Sequence, residues 1–131
     1  MPVRTTDRTI SCDSSMPTGV PAMTVALYQL VLTTMPDGQS ARQLGEVLVH
    51  EGLAACVNIL PPMQSIYTWR GKVETASEHL VLVKSLASRY AAIEERIQAL
   101  HPYELPEIIA VPIANGLPAY LDWLHNPEIA P

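Results

Sequence analysis

The sequence has little of the chemistry on which several common classes of protein depend. Its 131 residues include only two cysteines, Cys12 and Cys56, and the different sequences around them argue against their being partners. Two cysteines are too few for a disulfide framework. Basic residues are scarce as well, since 8 Lys and Arg stand against 13 Asp and Glu, a net charge of −5. This balance gives no electrostatic reason for binding to nucleic acid or to an anionic membrane.

Long apolar runs are also missing from the sequence. No segment approaches the ~20 apolar residues that span a bilayer, and the first twenty residues contain no hydrophobic stretch suited to a secretory signal. With so few cysteines, this predicts a cytoplasmic protein without a membrane partner. Zinc-binding spacings, phosphate loops and nucleophile elbows do not occur either, so the sequence predicts a protein that is not an enzyme.

Most of the apolar residues of the chain follow residue 22. Residues 1–22 are rich in Ser, Thr, Pro and Asp, and they carry too little apolar surface to offset the entropy lost on ordering. They are predicted to form a flexible tail. The chain as a whole is 48% hydrophobic, which is enough for one core, so residues 23–131 are predicted to form a single domain.

The apolar periodicity in this domain predicts an alternation of strands and helices. The elements are a strand over 24–34, a helix over 40–51 with Ser40 and Gln43 as a capping box, a hairpin over 53–85 that turns at Arg70 and Gly71, a helix over 88–100, a strand over 106–114 and a helix over 117–125. This order is that of an α+β, ferredoxin-like β-α-β-β-α-β sandwich with an extra C-terminal helix. Prolines in the second and fourth strands agree with the edge positions that this fold gives them.

The long hairpin predicts association of several copies of the chain. An arm of about a dozen residues reaches ~40 Å at ~3.3 Å per residue, whereas a domain of ~110 residues is roughly 35 Å across. The arms should therefore overhang the domain and expose Ile66, Tyr67, Trp69 and Val73. A homo-oligomer would cover them. The alternative is that Pro61 and Pro62 fold the arm back onto its own domain.

Five motifs resemble those of the CutA divalent-cation tolerance family, in the same order and at similar separations. They are LTTMPDG, LAACVNILP, SIYTWRGKVE, HPYELPEII and LPAYLDWL, and together they cover about residues 25–125. The resemblance implies a ferredoxin-like fold and a homotrimer built through the long hairpins, with an architecture similar to that of PII signalling proteins. It also implies a role in tolerance of copper and other divalent metal ions.

The segment HPYELPE, residues 101–107, contains suitable ligands for a divalent ion in His101, Glu104 and Glu107. The resemblance implies copper ligands at a first-strand cysteine and at two adjacent histidines, but Thr33 and Leu100 occupy two of these three positions here. Only His101 matches, and without a thiolate the site is unsuited to Cu(I). We predict a metal site at His101 and Glu104. The structural alternatives are that His101 caps the preceding helix and that Glu107 accepts backbone hydrogen bonds.

A second candidate site consists of polar and aromatic residues from the hairpin and from the HPYELPE segment. Tyr67, Trp69, Glu74, Lys84 and Tyr103 are predicted to line a crevice between subunits that holds a small effector. The resemblance to PII proteins supports this hypothesis, and ordinary interface packing is the alternative. The sequence thus predicts a non-enzymatic trimer that binds or responds to divalent metal, copper first. A PII-like signalling scaffold and a stable interaction platform remain the other possibilities.

Overall fold

The structure, a computed structural model, describes residues 26–129. The predicted flexible tail over residues 1–22 lies outside this range. The elements are β1 (Tyr28–Met35), α1 (Gly38–His50), β2 (Cys56–Ile59), β3 (Met63–Trp69), β4 (Lys72–Leu86), α2 (Tyr90–Leu100), β5 (Ile109–Pro112) and α3 (Pro118–His125), with short 3-10 turns at Ala87–Arg89 and Pro127–Ile129. This is an α+β fold with the predicted order of elements.

The sheet is antiparallel, with strand order β2-β4-β1-β5, and β3 pairs with β4 beyond the end of β1. The prediction that the first strand and the uninterrupted hairpin arm are central is therefore confirmed. The strands that contain or adjoin prolines lie at the edges, because a proline has no N–H to donate to a second neighbour.

The first hairpin arm is divided into two strands. The structure has no strand over Leu60–Pro62, between β2 and β3, because Pro61 and Pro62 cannot donate ladder hydrogen bonds. Both pieces nevertheless pair with β4, which runs for 15 residues. The turn is where the sequence predicts it. Trp69 pairs with Lys72, and the two residues between them, Arg70 and Gly71, have φ values of 50° and 78°.

Helix α1 begins two residues before the predicted start. Asp37 is the N-cap, and its carboxylate accepts a hydrogen bond of 2.7 Å from the Ser40 backbone N–H. This hydrogen bond holds the pKa of Asp37 below its usual value. The predicted capping box, with Ser40 as the N-cap, is therefore wrong. Asp37 takes that role because a carboxylate is the stronger acceptor for the unpaired amides of a first turn. Gly52, with φ of 71°, follows the helix as predicted.

The two faces of the sheet have different surroundings. One face packs against α1 and α2, and the core lies there, with fully buried side chains that include Val31, Val81, Val83, Leu44, Leu48, Ile93 and Ile97. The opposite face, which we call the open face, carries the half-buried or exposed side chains of Leu30, Leu32, Leu80, Leu82, Ile109 and Val111. Of these, Ile109 is 53% exposed and Val111 is 45% exposed. An apolar surface therefore remains uncovered in the single chain.

Strand β3 and the first part of β4, Lys72–Ser77, form a two-stranded ribbon. Strand β1 pairs with β4 only from His79 onward, so the ribbon extends past the rest of the sheet. One of its faces carries Ile66 and Val73, which are 72% and 76% exposed. This agrees with the predicted exposure of these two residues, whereas Tyr67 and Trp69, also predicted to be exposed, are half-buried because they lie on the other face of the ribbon. No helix within residues 26–129 is long and apolar enough to cross a membrane.

Candidate functional site

The segment that follows α2 lies between the end of β1 and the start of the ribbon. Helix α2 ends at Leu100, because Pro102 disfavours helical backbone at the residue before it. His101 is the C-cap, and its backbone N–H donates a hydrogen bond of 2.8 Å to the carbonyl of Ile97. The predicted end of this helix is confirmed. His101 itself is only 5% exposed, so its ring faces the protein interior.

Both ring nitrogens of His101 are engaged. Nδ1 accepts a hydrogen bond of 3.1 Å from the backbone N–H of Tyr103. Nε2 lies 2.7 Å from the backbone carbonyl of Thr34, which can only accept, so Nε2 carries the proton. In this neutral tautomer neither nitrogen offers a lone pair to a metal ion. The geometry therefore favours a structural role, in which His101 joins the end of α2 to the end of β1.

A buried carboxylate lies next to this histidine. The hydroxyl of Tyr103 donates a hydrogen bond of 2.7 Å to Oε2 of Glu78, and these residues are 5% and 2% exposed. The pKa of Tyr103 is raised well above its usual value, first by burial and then by this hydrogen bond to Glu78. Glu78 was not predicted as a site residue. The sequence does contain an indication of it. Glu78 is a charged residue at every second position with Leu80 and Leu82, so it lies on the same face of β4 as these apolar residues.

Glu107 adds a second carboxylate to the same cluster. It is half-buried, and its pKa is raised, mainly by burial and in part by the negative charge of Glu78. Glu104 is turned elsewhere. Its carboxylate faces the guanidinium of Arg70 at 3.8 Å, and its side chain is 10% exposed. In the part of the chain that the structure describes, no three His, Cys, Asp or Glu side chains are grouped so that they could hold a metal ion.

Within one chain, the residues of the predicted effector site lie in two separate places. Tyr67 and Trp69 lie on the half-buried face of the ribbon, and Tyr67 is close enough to Tyr103 to add slightly to the effects of burial and Glu78 on its pKa. Glu74 pairs with Tyr67 across the ribbon. Lys84, however, follows Glu74 by ten residues on the same strand, which is a distance of about 33 Å. A single chain therefore brings Tyr67, Trp69, Glu74 and Tyr103 to one end of β4 and Lys84 to the other.

His79 has no potential partner near it in the sequence, which indicates a surface residue, but the structure contradicts this interpretation. Its side chain is half-buried, and Nδ1 donates a hydrogen bond of 2.8 Å to the carbonyl of Leu60. Leu60 precedes the two prolines, so His79 satisfies a carbonyl at the break between β2 and β3. This role is not visible in the sequence, because His79 and Leu60 are 19 residues apart and only pairing of the strands brings them together.

Three grooves on the surface of residues 26–129 lie away from the predicted site residues. One of ≈ 510 Å³ runs along α1 and is lined by Met35, Gln43, Val47, His50 and Leu100, among others. It lies on the helix side of the sheet. The cluster of Glu78, Tyr103 and Glu107 is therefore the feature that combines buried charge, altered pKa values and predicted residues.

Comparison with known proteins places the chain among close relatives. The sequence profile described as CutA1 divalent ion tolerance protein matches residues 29–127. The divalent-cation tolerance protein CutA of Thermus thermophilus is 50% identical over 100 residues, which are 76% of this chain and 97% of the relative. Protein CutA of Homo sapiens is 40% identical over 93 residues, which are 71% of this chain and 52% of the human protein.

Solved structures of the same kind agree in fold. The divalent cation tolerance protein Cut A1 from Thermus thermophilus superposes with a TM-score of 0.74 at 48% identity, covering 76% of this chain and 96% of the other. CutA1 from Oryza sativa gives a TM-score of 0.73 at 40% identity, covering 76% and 91%. The fold and the five sequence motifs therefore point to the same relatives.

Proposed function

Because the chain belongs to the CutA1 divalent ion tolerance family, we propose that it acts in tolerance of divalent cations as a non-enzymatic, self-associating cytoplasmic protein. The open face is the observation that supports this proposal. It combines exposed apolar side chains, Ile109 and Val111 among them, with a ribbon whose strand Lys72–Ser77 has a neighbour on one side only. An apolar face next to an unpaired strand is the kind of surface that another protein chain covers.

The proposed assembly is a homotrimer similar to that of PII proteins. The open face and the ribbon support the need for a partner, and the number three comes only from the resemblance to the CutA family. Light scattering on tag-free protein tests it. We expect a mass three times the 14.3 kDa of the chain. A mass of one chain at micromolar concentration would refute self-association.

Binding of metal, copper first, is the second part of the proposal, with His101 and Glu104 as the proposed ligands. The hydrogen bonds of His101 mean that the site is not preformed. A metal ion must displace either the Thr34 carbonyl from Nε2 or the Tyr103 amide from Nδ1. We therefore expect coordination at His101 to be accompanied by a local rearrangement of the segment after α2.

Titration of the trimer with Cu(II) and Zn(II) at neutral pH tests direct metal handling. Saturable binding with a Kd below about 100 µM, which corresponds to ~5.5 kcal/mol, should weaken in His101→Ala and be unchanged in His50→Ala. His50 is a suitable control because it is an exposed histidine at the end of α1. Equal binding by both variants would place the metal elsewhere, and no binding by the wild type would remove direct metal handling from the proposal.

A PII-like effector site is the second candidate function. The arrangement of Tyr67 and Trp69 on one face of the ribbon, near Tyr103, favours it because aromatic groups at a subunit boundary commonly line ligand clefts. A thermal-shift screen with nucleotides and small anions tests it, since a ligand at 100 times its Kd stabilises the folded state by about 2.7 kcal/mol. If neither the metal titration nor the thermal-shift screen identifies a ligand, the remaining proposal is a stable interaction platform.

A further inference from the structure

The cluster of Glu78 and Glu107 has negative charge without a positive partner. Glu78 is 2% exposed and accepts a hydrogen bond from Tyr103, and Glu107 is half-buried close enough for the two charges to interact. Neither carboxylate forms an ion pair within residues 26–129. Buried carboxylates that are close together are costly unless a cation or further hydrogen bonds neutralise them.

A hydroxyl group on the same face also has no partner. Thr34 is 6% exposed, and its Oγ1 makes no hydrogen bond to the described residues. In the register of β1 and β4, Thr34 pairs with Leu80, and Glu78 is two residues from Leu80 along β4. Alternation along a strand therefore places Thr34 and Glu78 on one face of the sheet as diagonal neighbours. Three groups with oxygen acceptors are thus collected at this end of the open face.

Lys84 lies at the other end of the open face and forms no ion pair with a carboxylate of residues 26–129. It is half-buried, and its Nζ lies 5.8 Å from the centre of the Tyr120 ring. Its neighbours across the strands are Leu30 and Cys56, neither of which is charged. By contrast, the arginines of the described chain that form ion pairs do so with other glutamates: Arg42 with Glu46, Arg70 with Glu104 and Arg96 with Glu51.

Lys84 cannot reach the acidic cluster of its own chain. It follows Glu78 by six residues on β4, which is about 20 Å along the strand. The even number of steps places both residues on the same face, with Leu80 and Leu82 between them. One face of β4 therefore has a negative end, an apolar middle and a positive end. Such a surface is complementary to itself when a second copy packs against it with its positive end over the negative end of the first.

We infer that a second copy of this chain packs on the open face and supplies Lys84 to Glu78 and Glu107. This inference rests on the self-association proposed above and adds the residue that each copy contributes to its neighbour. The ammonium has three donors, which match the two carboxylates and the hydroxyl of Thr34. In a closed ring each copy gives one lysine and receives one, so every acidic cluster gains a positive partner. The cluster is incomplete in a single chain.

A dilution series of the full chain, followed by light scattering, tests the pairing. Lys84→Met keeps most of the apolar stem and removes the charge, and Glu107→Gln keeps the shape and removes the charge. We expect each variant to raise the dissociation constant of the assembly at least about tenfold, because truncation of one partner leaves the other buried and unpaired. The double variant should be no weaker than the single variants. Lys84→Arg, which keeps the charge, should associate more tightly than Lys84→Met.

Lys72→Met is the matched control, since Lys72 is an exposed lysine on the same strand. It should dissociate like the wild type. If the wild type is a monomer, self-association itself is refuted. If the wild type associates but Lys84→Met and Glu107→Gln behave like Lys72→Met, or if their effects add in the double variant, the ion pair is refuted and self-association stands.

Thermal unfolding of Glu107→Gln gives a second, independent result. In a single chain, removal of this charge relieves repulsion from Glu78 and should raise Tm. In the paired assembly the same change removes a partner of Lys84 and should lower Tm. A lower Tm at a concentration at which the wild type is assembled supports the inference, and a higher Tm overturns it.

Discussion

Thr33 is fully buried on the helix face of the sheet, and its hydroxyl has no hydrogen-bond partner in the described chain. It pairs with Val81, which belongs to the core. An unsatisfied buried hydroxyl costs about 1–3 kcal/mol. We therefore expect Thr33→Val to raise the free energy of unfolding by about 1 kcal/mol, measured by urea denaturation. Thr33→Ser, which keeps the hydroxyl and loses a methyl group, should lower it; equal stability of the valine variant and the wild type would contradict this account.

The hydrogen bond between Tyr103 and Glu78 predicts a loss of stability in Tyr103→Phe. The change leaves a buried carboxylate without this donor, and hydrogen bonds to charged groups contribute about 1.5–3 kcal/mol. We expect a loss of about 2 kcal/mol in urea denaturation. Tyr120→Phe is the control, because Tyr120 is an exposed residue of α3, where the loss of a hydroxyl leaves no buried charge unpaired. Equal losses in the two variants would argue against a special role for Glu78.

The raised pKa of Tyr90 also predicts that folding stability depends on pH in the alkaline range. A hydrogen bond with Glu94, followed by burial, raises the pKa of Tyr90 to about 12, from an ordinary value of 10.0. Above pH 10 the unfolded chain loses this proton while the folded chain keeps it, so folding stability falls as pH rises from 10 to 12. Urea denaturation between pH 8 and 12 should show this fall, and Tyr90→Phe should reduce its slope. An unchanged slope would show that other groups cause the fall.

Sequence reasoning identified His101 and Tyr103 as site residues, but it did not identify their partners. The Thr34 carbonyl and Glu78 are 67 and 25 residues away in the sequence. A histidine that binds a metal ion and a histidine that joins two structural elements can have the same neighbours in the sequence. The difference lies in which atoms face the ring nitrogens, and this is set by the packing of α2 against β1.

At the scale of elements, the order of strands and helices was predictable because each has its own apolar period and its own breaking residues. Pro61 and Pro62 indicated an edge strand, and they occupy a break in one. The predicted start of α1 is two residues late, because the sequence Pro36-Asp37-Gly38 is also typical of a turn. A turn and an N-cap favour the same residues, since both need a side chain that accepts backbone hydrogen bonds.

The backbone conformation of the ribbon turn predicts how a methyl group added at Gly71 changes the stability of the protein. Gly71 has φ of 78°, a left-handed conformation that costs a residue with a Cβ about 1–2 kcal/mol. We expect Gly71→Ala to lower the free energy of unfolding by about this amount and to lower the Tm. Gly38→Ala is the control, because a Cβ there would meet its nearest neighbour, His79, at 3.8 Å, an ordinary contact. If both variants lose the same stability, backbone strain at the turn is not the cause.

At the scale of the whole molecule, the open face and the helix face should respond differently to a charge. Val111 on the open face and Val49 on α1 are 45% and 44% exposed. A carboxylate at either position should therefore change the folding stability of a single chain by a similar amount. We expect Val111→Asp to dissociate the assembly in light scattering, since a buried unpaired carboxylate opposes association. Val49→Asp should leave the mass unchanged. The opposite result would place the interface on the helix side.

The pairing of β4 with three other strands also bears on the order in which the chain folds. Its first part pairs with β3 at sequence separations of 3 to 15 residues, from Trp69 with Lys72 to Met63 with Glu78. Its second part pairs with β1 at separations of 44 to 58 residues, from Met35 with His79 to Tyr28 with Leu86. Closing the shorter loops loses less chain entropy and is faster. We therefore expect the ribbon to form before the sheet that anchors it, and the pairing of β4 with β1 to follow.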